Sequence, residues 1–102
     1  MRQKIMNQFK RRPEVELLEI SGEYLLAATR NARAYCPYVT QINESAASYW
    51  KLLDRPYSID ELTERAAEVF QKEKKDLLLP ILLFIRKLEK SGYLIGEDEN
   101  DA

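Results

Sequence analysis

Histidine is absent from this chain of 102 residues, and with it go the commonest general base and the commonest metal ligand. The one cysteine, Cys36, allows no intramolecular disulfide and cannot by itself hold a zinc or iron–sulfur site. The three glycines, Gly22, Gly92 and Gly96, are too scattered to build a phosphate-cradling loop. No apolar run approaches a membrane span; the longest, Leu77–Ile85, is about half the length needed and contains Pro80. The amino terminus lacks the apolar segment and cleavage site of a secretion signal, so a cytoplasmic protein without membrane partners is expected. No motif partners a serine nucleophile. These absences predict a protein that is not an enzyme and needs no cofactor or metal.

What is present fits one small domain. Apolar residues make up 45% of the chain and charged residues 32%, enough for a single core. A formal net charge of −1 gives no drive toward nucleic acid. The charge is unevenly spread. Residues 1–12 carry Arg2, Lys4, Lys10, Arg11 and Arg12 without an acid, and residues 97–102 carry Glu97, Asp98, Glu99 and Asp101 without a base. Both ends are expected to be solvated and partly disordered, leaving 13–96 as the folded domain.

The first third of that domain reads as extended. Val15–Ile20 interleaves apolar residues with acids, Ser21-Gly22 is a turn signal, and Tyr24–Ala28 follows as a hairpin partner. Tyr38–Ile42 has the β-branched and aromatic content of a third strand. The remainder reads as three helices. Asn43 is an N-cap for the first, whose core face carries Ala46, Tyr49, Trp50 and Leu53. Ser58 and Glu61 spell a capping box for the second, with Ile59, Leu62, Ala66, Val69 and Phe70 on its apolar face. Gln71–Lys75 is the expected turn before a third helix from about Asp76 to Lys90. Gly92 closes that helix, and a short apolar strand follows. Cys36 is expected as a small buried hydrophobe, since no basic neighbour in sequence depresses its pKa.

The third helix carries more apolar surface than its own core requires. Leu77, Leu78, Ile81, Phe84, Ile85 and Leu88 form one broad inward face, while Leu79 and Leu83 project from the opposite side. Leu82 borders that outer row, which continues into Arg86 and Lys90. Pro80 is tolerated if the helix starts near Asp76, where first-turn amides have no partner to lose. The outer row is either a docking surface or a face covered by another part of the chain.

Two clusters, INESAASYWKLL at Ile42–Leu53 and LEKSGYLI at Leu88–Ile95, resemble the PqqD-like family (pyrroloquinoline-quinone synthesis protein D) over Val15 to Gly96. That family's pattern runs "lNetaa.iw.llD", then a helix, then "f...L...Gli". The resemblance implies an α+β fold of winged helix-turn-helix type, with a three-stranded antiparallel sheet on the amino-terminal side and three helices after it. It also implies a RiPP recognition element: a module that binds the leader segment of a ribosomally made precursor peptide and presents it to a modifying enzyme, often a radical S-adenosylmethionine enzyme. In such proteins the leader adds as a strand to the sheet edge and rests its apolar side chains on the third helix. Carried onto this chain, the implied peptide-binding residues are Tyr38, Val39, Thr40, Gln41 and Ile42 on the strand, with Leu79, Leu82, Leu83, Arg86 and Lys90 on the helix. Quinone synthesis itself is not implied, because Leu53-Asp54-Arg55-Pro56 lacks the glycine that such members carry after the aspartate.

Two alternatives stay open. A winged-helix DNA-binding regulator would use the same helix, and Lys72, Lys74, Lys75, Arg86, Lys87 and Lys90 are a local basic cluster. Its outer leucines, however, can read little beyond a thymine methyl. Exposed leucines and an open sheet edge could also pair two copies of the chain as a homodimer.

Overall fold

The computed structural model describes residues 7–98. It is an α+β arrangement of five strands and three α-helices. Strand β1 (Asn7–Arg11) is followed by β2 (Val15–Ile20), β3 (Glu23–Ala28) and β4 (Val39–Ile42). Helices α1 (Glu44–Leu52), α2 (Ile59–Phe70) and α3 (Lys74–Lys90) come next, followed by β5 (Leu94–Asp98). Strands β2, β3 and β4 form an antiparallel sheet in that order, while β1 and β5 pair antiparallel as a second, two-stranded sheet.

The second sheet corrects the expected layout. Asn7–Arg11 is not part of a solvated arm, and Glu97 and Asp98 belong to β5 rather than to a disordered tail. Residues 1–6 and 99–102 lie outside the described residues. The cause is a single anchor. Phe9 is buried, and its backbone exchanges hydrogen bonds with Tyr57 at 2.7 and 3.0 Å while its strand pairs with β5 on the other side. Arg12 continues the tie: its backbone N–H donates to the Tyr93 carbonyl and its Nε–H to the Gly92 carbonyl at 2.6 Å.

Local signals set the other boundaries. The Ser21-Gly22 turn, with both residues at positive φ, fixes the β2–β3 register Leu18↔Leu25 and Leu17↔Leu26. Asn43 caps α1 by accepting from the Ala46 amide at 2.8 Å. The Ser58 hydroxyl accepts from the Glu61 amide, and Glu61 accepts in return from the Ser58 amide, which starts α2. The hydrogen bond from the Ser58 amide, helped by one from the Gln8 side chain, holds the Glu61 carboxyl below its ordinary pKa.

The core lies among the three helices and both sheets, with α1 packed on β3, α2 on β1 and α3 on β5. Leu26, Leu53, Leu62, Ile81, Ile85 and Tyr93 are each almost fully buried. Tyr49 packs edge-on against Phe84 at 5.5 Å and tilted against Phe70 at 6.3 Å, joining α1 to both later helices. Two residues expected on inward faces, Val69 and Leu78, are instead about half exposed. In α2 the buried stripe runs through Leu62, Thr63 and Ala66, with the Thr63 hydroxyl satisfied by the Ile59 carbonyl at 2.7 Å. Among the described residues no helix is long and apolar enough to cross a membrane.

Candidate functional site

β4 is a sheet edge. Its inner side pairs with β3 in the register Tyr24↔Ile42, Leu25↔Gln41, Leu26↔Thr40 and Ala27↔Val39. The Ala28 amide donates to the Tyr38 carbonyl at 2.8 Å, which makes that a hydrogen-bonded pair. Antiparallel ladders alternate, so the amides and carbonyls of Thr40 and Ile42 also turn toward β3. Those of Val39 and Gln41 turn outward, to the open edge.

That edge runs beside the carboxyl-terminal end of α3. The Tyr93 hydroxyl, three residues past the helix, donates to the Pro37 carbonyl at 2.8 Å and shares a 2.8 Å hydrogen bond with the Thr40 hydroxyl. Tyr93 is fully buried, and burial pushes its phenol pKa up. It is the stitch that positions the strand against the helix. Tyr93→Phe is therefore expected to destabilise the fold by about 0.5–1.5 kcal/mol, the net worth of an ordinary hydrogen bond, because the exposed Pro37 carbonyl and the half-buried Thr40 hydroxyl can turn to water in place of the lost phenol. Urea unfolding of the two proteins measures it.

Beyond Ile42 the edge opens into a groove of about 490 Å³ between the start of α1 and α3. Its apolar floor is Ile42, Ala46, Tyr49, Leu77, Phe84 and Leu88, with Leu83 and Pro80 on the wall and Lys72, Asp76 and Lys87 at the rim. Pro80 departs from the expected first-turn position: α3 begins at Lys74, so this proline is the seventh residue of the helix. Having no N–H, it leaves the Asp76 carbonyl without its usual donor four residues on.

The ten residues implied for peptide binding divide four ways. Ile42 and Leu83 share the groove, Ile42 buried and Leu83 58% exposed. On the strand, Thr40 is half-buried and committed to Tyr93, while Tyr38, Val39 and Gln41 are exposed, Tyr38 lying just before β4 with the Arg33 guanidinium 5.0 Å over its ring. Leu79 stands clear of the surface at 61% exposure and Leu82 is half-buried. Arg86 and Lys90 turn away from the groove and line a wider hollow of about 900 Å³ with Phe9, Ser58, Ile59 and Leu78. The site is thus narrower than the sequence pattern implies. It also includes Tyr49, Pro80, Lys87 and Leu88, whose membership depends on how α1 meets α3 and carries no signal in either helix alone.

Cys36 sits buried behind this strand, its thiol donating to the Ala32 carbonyl at 3.2 Å. Burial pushes its pKa up, outweighing the opposing pull of Arg12, so it is held as a thiol. Among the described residues no group of His, Cys, Asp and Glu side chains could hold a metal ion. No family model, curated protein or solved structure matches the chain.

Proposed function

We propose that this chain is a peptide-binding module that takes an extended segment as an added strand along β4 and seats its apolar side chains in the α1–α3 groove. The observation that carries the reading is the coincidence of an open strand edge at Val39 and Gln41 with an apolar groove at its end that leaves Leu83 uncovered. Edge amides and carbonyls bind any backbone, and side-chain pockets on alternate positions select the sequence. The finer identification, a winged-helix RiPP recognition element that presents a precursor leader to a radical enzyme, rests on the family resemblance and on this agreement in location.

The DNA-reading alternative is disfavoured by the middle of the outer face of α3, where Leu79 and Leu83 stand exposed in place of base-reading polar groups. A single titration discriminates the two. A peptide selected from a random display library against this protein should slow amide exchange at Val39 and Gln41 at least about tenfold, since these amides gain partners only by strand addition. Protection that spares both residues sinks the strand-addition mechanism. Sub-micromolar, sequence-dependent retention of duplex DNA at physiological salt would favour the regulator instead.

A further inference from the structure

The outer seam of α3 has a charge order that the peptide site does not use. Glu73, Asp76, Leu79, Leu83, Arg86 and Lys90 are all exposed. From Asp76 onward they repeat at spacings of three, four, three and four, which is the seam of a coiled coil. Read along the helix, the seam is acid, acid, leucine, leucine, base, base. Among the described residues none of its four charged side chains makes a hydrogen bond or ion pair within the chain.

We propose that α3 pairs antiparallel with α3 of a second copy of this chain across a two-fold axis. In such an interface residue i meets j and j meets i. Centring the axis between Leu79 and Leu83 sets each leucine against the other's counterpart and Asp76 against Arg86 of the second copy, with Glu73, the N-cap residue just before α3, near the end of the second copy's helix. The four central seam residues, Asp76, Leu79, Leu83 and Arg86, then each have a complementary partner, and a parallel arrangement would set like charges together. The helix dipole accounts for acids at the amino end and bases at the carboxyl end. It does not account for two uncovered leucines between them.

One helix seam buries less than the roughly 1,200–2,000 Å² of a stable interface, so the dimer is weak and concentration-dependent. The paired state covers Leu83. Insofar as the peptide reading above holds, self-pairing and peptide binding exclude one another, and the dimer is the closed form of the module.

The test needs no peptide. By sedimentation equilibrium at low salt, the mean mass should rise from 12.0 kDa toward twice that value, with a midpoint on the order of 100 µM. Arg86→Asp and Asp76→Arg should each weaken self-association about tenfold, because each sets two like charges across the axis. Mixing the two variants should restore association, since the first then carries acids at both seam positions and the second carries arginines at both, so that each acid faces an arginine across the axis. Circular dichroism checks that both variants remain folded. A wild-type chain that stays monomeric through this range overturns the proposal. So do single variants that associate like wild type, or a mixture that fails to recover.

Discussion

Gly92→Ala should cost this domain about 3–5 kcal/mol, a large part of the stability available to a fold of this size. Two penalties combine. Gly92 has a φ of +91°, a conformation that costs an L-residue about 1–2 kcal/mol. A Cβ there would also drive into the Tyr35 carbonyl oxygen, with the carbonyl carbon at 3.0 Å and Cys36 Cβ at 3.2 Å. The obstacle is backbone, so it cannot swing aside as a side chain would. Relief requires the 35–37 segment to move, which strains the Tyr93–Pro37 hydrogen bond and, through Thr40, the placement of β4. Gly22→Ala is the matched control, since φ is +80° but nothing lies within 4 Å. It should lose only the conformational part. Thermal unfolding of both variants measures the difference; equal losses would mean that the close approach at Gly92 does not constrain the fold.

Leu83→Asp should abolish useful peptide binding while leaving the fold intact. At 58% exposure the new carboxylate stays solvated in the free protein, and surface changes of this kind usually move stability by less than about 0.5 kcal/mol. In the bound state the same carboxylate must be buried beside Ile42 and Phe84 on the groove floor. The expected loss is about 2–4 kcal/mol, or roughly 30- to 1,000-fold in affinity. Ile85→Asp, two residues on, should instead unfold the domain, because Ile85 is fully buried and the charge has no partner. Arg86→Glu should change binding little, since Arg86 borders the hollow on the β1 side rather than the groove. Calorimetric titration of the display-selected peptide ranks the variants. Unchanged affinity in a folded Leu83→Asp protein removes this groove as the site.

The contrast between β1 and α2 shows how unevenly the fold is written in the sequence. The start of α2 is legible because its signal is local: Ser58 and Glu61 are three residues apart and satisfy each other. β1 gives no such signal. Asn-Gln-Phe-Lys-Arg has one apolar residue, and its partner strand β5 lies at the other end of the chain. What makes it a strand is the slot that Tyr57 and β5 form together, into which Phe9 fits. Periodicity likewise placed Leu77, Ile81, Phe84, Ile85 and Leu88 inward and Leu79 and Leu83 outward, as observed. It misjudged Leu78 and Val69 because a face about 100° wide has margins, and the neighbouring element decides which margin is covered.

The sequence by itself therefore determined the hairpin, the order of β4 and the three helices, the caps of α1 and α2, and the outward row of leucines on α3. Each depends on residues within about one helical turn or one tight turn of each other. Only the tertiary structure decided that β1 and β5 form a second sheet, that Tyr93 fixes β4 beside α3, and that Ile42 and Leu83 line one groove while Arg86 and Lys90 line another. Those relations join residues that lie far apart in the chain. They are set by how the packed elements cross, which no local pattern of side chains encodes.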